Sequence, residues 1–132
     1  MLLLKNTKIL DANMILRFLL RDNEEMADTA EELIDNNDVL LTLEVAAEVV
    51  FVLQKVYEQE RSRIADLITR FAGLNNVSVS EYDVLIKGLT IFAENNLDFV
   101  DCLLCAYNLH YGYEVCTFDV KLKKLMEKLK SK

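Results

Sequence analysis

The chain has 132 residues, of which 52% are hydrophobic and 28% are charged, with three glycines and no proline. This length and apolar content suffice for one core, so we expect a single domain over residues 1–132. The scarcity of glycine and proline argues against flexible linkers and disordered tails. No apolar run reaches the roughly 18–20 residues needed to span a bilayer, so we expect no membrane association.

The formal net charge of −7 is unevenly distributed along the chain. Residues 120–132 carry six lysines and one glutamate, a charge of +5, which leaves −12 on residues 1–119. Such an acidic body does not bind nucleic acid through a broad basic face. A polyanionic substrate would have to be held by a local basic rim or by bound cations.

The apolar start of the chain differs from a signal peptide. Residues 1–23 have no basic leader and no small-residue cleavage site, and Asp11 interrupts the apolar stretch. We therefore expect a mature, cytoplasmic protein whose three cysteines are reduced thiols.

The hydrophobic pattern alternates between short apolar runs and longer helical periods. The runs predict four strands, at 7–12, 38–42, 76–80 and 113–118. The periods predict seven helices, at 13–21, 24–37, 43–57, 61–74, 82–96, 98–111 and from about 120 to the end. Asp22 and Ser80 are predicted to cap the second and fifth helices. Strands that alternate with helices imply a parallel sheet covered on both faces.

Four acids lie almost alone in apolar sequence: Asp11, Glu48, Asp101 and Asp119. Burying an ionised carboxylate is costly unless it is paired or bound to metal. Two of the acids end predicted strands and two lie early in helices near strand ends, so all four are predicted to approach the carboxyl edge of the sheet, where ligands bind. Converging carboxylates repel one another unless a hard divalent cation holds them. The pattern therefore predicts a Mg²⁺ or Mn²⁺ site.

Each polar residue also has a purely structural interpretation. Asp98 and Asp101 have the spacing of a helix N-cap and its partner three residues on. Asn13 is a possible N-cap, and Glu44 is a favourable charge near a helix start. The sequence leaves these alternatives open for any one acid, and the metal site is favoured by the four acids together.

A zinc or redox site is the competing interpretation of residues 97–119, which hold Cys102, Cys105, Cys116 and His110. The charge of Asp101 would raise the thiol pKa, and His110 lies more than two turns beyond Cys102 on one predicted helix. We expect the cysteines to pack as small hydrophobes, and His110 to be a cap or partly exposed residue, with a catalytic role as the minor alternative.

Four segments together resemble the PIN domain family, and within it the VapC-type toxin ribonucleases. The resemblance rests on Asp11 with Asn13 in LDANMILRFLLRD, on Glu48 before an apolar run, on Asp101 in LDFVDCLLCAY and on the Thr-Phe-Asp of residues 117–119. The segments follow the family's order over nearly the whole chain. Ala12 stands where the family often has a hydroxyl residue, which removes one possible hydrogen bond.

The resemblance implies a three-layer α/β/α fold with a central, mainly parallel sheet of four to five strands. It makes the four acids Asp11, Glu48, Asp101 and Asp119 the catalytic residues and the ligands of one or two Mg²⁺ or Mn²⁺ ions. Three neighbours would orient or assist the carboxylates: Asn13, Asp98 and Thr117. Four basic residues are candidates for contacting RNA: Arg17, Arg21, Lys121 and Lys123.

The implied function is metal-dependent hydrolysis of RNA by the toxin of a type II toxin–antitoxin pair. The implied partners are a transfer or ribosomal RNA substrate, a VapB-like antitoxin and a second copy of the chain, for which Met14, Phe18 and Leu19 are a candidate surface. Two rivals remain: a catalytically inactive PIN-like binding module, and a receiver-like phospho-acceptor domain. The second is disfavoured because the strand predicted at 76–80 carries no acceptor aspartate.

Overall fold

A computed structural model describes residues 6–131. Within that range the chain forms seven helices and two short strands. In chain order they are α1 (Ala12–Leu20), α2 (Glu24–Asn36), β1 (Val39–Leu41), α3 (Leu43–Lys55), α4 (Arg61–Ala72), β2 (Val77–Val79), α5 (Tyr82–Glu94), α6 (Phe99–Tyr111) and α7 (Val120–Lys130). Every predicted helix is therefore present, with ends that differ by a few residues.

Two predicted helix caps are wrong. Asn23, not Asp22, caps α2, because the Asn23 side chain accepts a hydrogen bond from the Met26 amide. The Asp22 carboxylate is instead held by the Arg17 guanidinium, 3.0 Å away. Glu81, not Ser80, occupies the cap position of α5, and its side chain makes no capping bond.

The sheet is parallel, as predicted, and β1 lies at its centre. Val39 pairs with Val77 in the register between β1 and β2. On the other edge of β1, the Lys8 amide donates to the Asp38 carbonyl and the Leu40 amide to the Lys8 carbonyl, both at 2.8 Å. The strand predicted at 7–12 thus contributes a single bridge beside β1.

The strand predicted at 113–118 is wrong, since residues 112–117 have no regular secondary structure. The physical reason is that contacts with α6 hold this segment away from the sheet. The Asn108 side chain donates to the Tyr113 carbonyl at 2.6 Å, and the Tyr113 ring stacks on Tyr111. The described part of the chain therefore has a two-stranded sheet rather than four to five strands. The three-layer arrangement stays a prediction.

The core is built largely around the antiparallel pair α5 and α6. Gly88 of α5 faces Leu103 of α6, and Phe92 packs edge-to-face on Phe99 with ring centroids 5.7 Å apart. Cys102 and Cys105 are completely buried on the core side of α6. This packing fixes α6 so that Asp101, in its first turn, lies half-buried near the surface.

Candidate active site

Three carboxylates lie around the start of α6. Asp98 is the residue before the helix, Asp101 lies in its first turn, and Asp119 is the N-cap of α7. Burial raises the pKa of the Asp101 carboxyl, and the charges of Asp98 and then Asp119 raise it further. The charges of Asp98 and Asp119 thus lie close enough to Asp101 to disfavour its ionised form, and a bound cation would offset this local negative charge.

Asp119 and Asp11 both cap helices. The Asp119 Oδ1 atom accepts a hydrogen bond from the Leu122 amide at 3.1 Å, and the Asp11 Oδ1 atom accepts one from the Met14 amide at 2.9 Å. Thr117 supports this turn by accepting a hydrogen bond from the Asp119 amide at 3.0 Å. The contact of Thr117 is thus with the backbone of Asp119 rather than with its carboxylate.

Asp11 and Asn13 line a pocket of about 280 Å³ between α1 and α2, together with Arg17 and Glu25. Glu48 does not line this pocket, and it lies exposed on α3. Asp98, Asp101 and Asp119 thus lie around the start of α6, and Asp11 and Asn13 line the pocket between α1 and α2. Among residues 6–131, no three His, Cys, Asp or Glu side chains are arranged to hold a metal ion.

The donor chemistry of the trio around α6 suits a hard cation and not zinc bound by thiolates. Asp98, Asp101 and Asp119 offer only carboxylate oxygens, which are the ligands that Mg²⁺ and Mn²⁺ prefer. Cys102 and Cys105, one and four residues after Asp101, are buried, and burial raises their thiol pKa values to about 12 and about 11. Thiols that stay protonated are poor metal ligands.

The predicted RNA-contacting residues fall into two groups. Arg17 is held by Asp22 and by the Tyr57 hydroxyl, and Arg21 forms ion pairs with carboxylates of α2. The charges of both arginines are thereby partly neutralised within the molecule. The lysines belong to α7: the Lys121 ammonium donates to the Asn96 carbonyl, two residues before Asp98, and Lys123 is exposed.

Arg61 is a residue near this site that the sequence interpretation missed. Its Nη1 atom donates to the carbonyls of Phe92, Asn95 and Leu97 at 3.1, 2.7 and 2.8 Å. These bonds fix the turn that leads into Asp98. The sequence held one indication of this role. Arg61 is the first residue of α4, where a positive charge interacts unfavourably with the helix dipole, so an arginine at this position suggests a tertiary contact.

The sequence profile of the PIN domain family matches residues 8–128. The match covers most of the chain, and the chain belongs to the PIN domain family. PIN domains are nuclease domains that generally depend on divalent metal ions. No curated protein and no solved structure matches the chain. No helix within residues 6–131 is long and apolar enough to cross a membrane.

Proposed function

We propose that this PIN domain is a metal-dependent endoribonuclease, the toxin of a type II toxin–antitoxin pair. The observation that carries the proposal is the trio Asp98, Asp101 and Asp119, in which the central carboxyl has a raised pKa because of burial and unbalanced negative charge. In a family of metal-dependent nucleases, this local excess of negative charge supports the binding of a divalent cation and a scissile phosphate nearby.

Under this proposal Asp11, Glu48, Asp101 and Asp119 hold one or two Mg²⁺ or Mn²⁺ ions. When bound, the metal would lower the pKa of a water molecule and offset the charge of the phosphate. Asp101 lies in the first turn of α6 and Asp119 caps α7, where Thr117 accepts a hydrogen bond from the Asp119 amide. Asp98 makes no side-chain capping bond to α6, and its proposed role is to assist the metal site through its charge. The approach of Asp11 and Glu48 toward this pair is part of the proposal and is tested with it.

RNA would be held by the basic residues next to the trio. Lys121 is the best placed, because its ammonium contacts the Asn96 carbonyl just before Asp98. Lys123 is exposed on the same helix. Arg17 and Arg21 remain candidates, although each would have to exchange acidic partners within the chain for phosphate.

The decisive experiment compares Asp11→Asn with the parent in a cleavage assay on transfer and ribosomal RNA, with added Mg²⁺ or Mn²⁺. Asparagine still caps α1, so the fold is expected to persist while cleavage is abolished. Glu25→Gln is the matched control, because it removes one charge from the same pocket and should leave cleavage unchanged. Equal rates for Asp11→Asn and the parent, or undiminished cleavage in EDTA, would refute the proposal.

A catalytically inactive PIN-like binding module is the second candidate. It is favoured by the absence, within the described residues, of three donors arranged around one point. The same assay separates the two functions: a folded parent that cleaves no RNA with either Mg²⁺ or Mn²⁺ supports the binding module.

The antitoxin and the second copy of the chain belong to the same proposal. Met14, Phe18 and Leu19 are half-buried and pack against the core, and Phe18 meets Phe71 edge-to-face with ring centroids 5.8 Å apart. Their packing gives them a role within one chain and leaves only their outer edges for a second copy. Sedimentation equilibrium tests the dimer, and a monomer would remove it from the proposal.

A further inference from the structure

Three tyrosines form a stack on the surface at the end of α6. The ring centroids of Tyr111 and Tyr113 are 5.1 Å apart with planes 16° from parallel, and Tyr107 lies 6.2 Å from the first and 6.4 Å from the second. Tyr111 is 45% exposed and Tyr113 is 58% exposed. We call Tyr107, Tyr111 and Tyr113 the tyrosine patch.

The backbone is shaped to hold this patch in place. Gly112 ends α6 with φ +76°, a left-handed conformation that L side chains rarely adopt, and it turns Tyr113 back toward the helix. The buried Asn108 side chain then donates to the Tyr113 carbonyl at 2.6 Å. The third ring is therefore anchored through its main chain, and its exposed side does not result from a loose loop.

Carboxylates lie next to the tyrosine patch. The Tyr111 hydroxyl donates to Glu81 Oε1 at 2.7 Å. His110, whose ring is 4.6 Å from that of Tyr111, has Nε2 3.7 Å from Asp83 Oδ2. Burial raises the pKa of Tyr107, and the charges of Glu81 and Glu44 raise it further. Within residues 6–131, no lysine or arginine forms an ion pair with Glu44, Glu81 or Asp83.

This combination selects one class of ligand. The faces of aromatic rings attract cations, and a guanidinium group also stacks flat on a tyrosine. Nearby carboxylates that have no lysine or arginine partner within residues 6–131 strengthen that attraction and repel a phosphate backbone. We propose that the tyrosine patch, with Glu81 and Asp83, is a docking site for an arginine-bearing segment of a partner protein.

The docking site is separate from the acids proposed for catalysis. Tyr107 follows Asp101 by six residues, or about 9 Å along α6. The docking proposal therefore stands whether or not the chain cleaves RNA, and its test requires no nuclease activity.

The test uses fluorescence anisotropy with the full chain and a labelled peptide in which arginines alternate with Gly-Ser pairs. The same peptide with citrulline in place of arginine keeps the shape and loses the charge. We expect the arginine peptide to bind and the citrulline peptide to bind more weakly. Tyr113→Leu and Glu81→Gln should each raise the Kd for the arginine peptide by about two- to fivefold.

The controls separate a specific site from general attraction to an acidic protein. Glu32→Gln removes one negative charge from the exposed face of α2 and should change the Kd less than Glu81→Gln does. Equal effects of these two variants would overturn the proposal, as would equal affinity for the two peptides. Thermal unfolding checks the fold of each variant, and Glu81→Gln decides the matter if Tyr113→Leu does not fold.

A last experiment tests whether the tyrosine patch binds single-stranded RNA instead of an arginine-bearing segment. A labelled oligouridine is titrated in EDTA, so that no cleavage takes place. The proposal expects its binding to be unchanged in Tyr113→Leu. If Tyr113→Leu instead loses RNA binding and keeps its affinity for the arginine peptide, the stack is a platform for bases and the proposal is wrong.

Discussion

The guanidinium of Arg61 lies over the ring of Phe92, with Cζ 4.2 Å from the ring centroid. The same guanidinium donates to three backbone carbonyls at the end of α5 and in the following turn. One side chain thus joins the start of α4 to the end of α5 and orders the residues before Asp98. Carbonyls at a helix end otherwise lack partners within the helix.

Removing this side chain should destabilise the fold. Arg61→Ala leaves three carbonyls without their donor and loses the contact with Phe92, so we expect a loss of about 2–3 kcal/mol in the free energy of unfolding. Arg61→Lys keeps the charge but not the planar fork, and it should fall between alanine and the parent. Urea unfolding followed by circular dichroism measures both.

Arg63→Ala is the matched control, because Arg63 is exposed on the same turn of α4. Its effect should stay within about 0.5 kcal/mol of the parent. Similar losses for Arg61→Ala and Arg63→Ala would show that the carbonyl contacts contribute nothing measurable to stability.

The helices could be predicted from the sequence because their signals are local. The apolar periodicity of residues 43–57 predicted α3, and the helix predicted at 61–74 is present as α4, which ends two residues earlier. The role of Arg61 could not be predicted in the same way, since its partners lie more than thirty residues away and are backbone atoms. Backbone carbonyls have no signature in the sequence.

The strand predicted at 113–118 failed for a related reason. Its alternating pattern suits a strand, but a strand also needs a neighbour with free backbone groups. Asn108 and the tyrosine patch bind this segment to α6 instead. For the candidate site, the sequence predicted Asp101 and Asp119, and the charges of Asp98 and Asp119 contribute to the raised pKa of Asp101. The positions of Asp11 and Glu48 relative to that trio depend on how helices pack, which periodicity does not encode.

The cysteines should differ sharply in reactivity. Burial raises the thiol pKa of Cys102 to about 12 and that of Cys105 to about 11, so almost no thiolate is present at pH 8. Cys116 is exposed. We expect a thiol reagent to modify one cysteine quickly in the native protein and the other two only after addition of urea.

Cys116→Ser identifies the fast thiol, because this variant should lose the rapid phase entirely. Two results would support the interpretation of these residues as a metal or redox site. One is a second thiol that reacts rapidly in the native protein, and the other is protection of Cys102 and Cys105 that is lost when a zinc chelator is added.

Asp101 should reduce stability at neutral pH in the absence of metal. A carboxyl pKa that is raised by folding means that the folded protein binds the proton more tightly than the unfolded chain does. Stability is therefore lost as the pH rises from the ordinary carboxyl pKa of about 3.9 through the raised value. Asp101→Asn should melt at a higher temperature than the parent at pH 7, and the difference should vanish in acid.

Metal adds a second measurement at Asp101. If the carboxylate trio holds a divalent cation, Mn²⁺ should raise the melting temperature of the parent and not that of Asp101→Asn. Asp66→Asn is the control, since Asp66 is exposed and forms an ion pair with Arg70 in α4. A parent whose melting temperature does not respond to Mn²⁺ would argue against a metal at this position.

Alanine at Gly88 should stabilise the fold only when the neighbouring Leu103 side chain is made smaller. A Cβ atom at Gly88 would lie 2.9 Å from Leu103 Cδ2, closer than real Cβ atoms come to other atoms. Alanine gains about 1 kcal/mol in helix propensity, and overpacking costs about 1–3 kcal/mol. We expect Gly88→Ala to leave the parent unchanged or to destabilise it by up to about 2 kcal/mol.

Gly88→Ala should become stabilising when Leu103 is truncated. In a Leu103→Ala background the close contact is gone, so Gly88→Ala should stabilise that variant by about 1 kcal/mol. Gly73→Ala is the comparison, because a Cβ there would make only ordinary contacts, the nearest at 3.5 Å, and its φ of −88° suits alanine. Urea unfolding of the four combinations gives the coupling free energy between the two positions. A coupling near zero would mean that α5 and α6 are not packed this closely at Gly88.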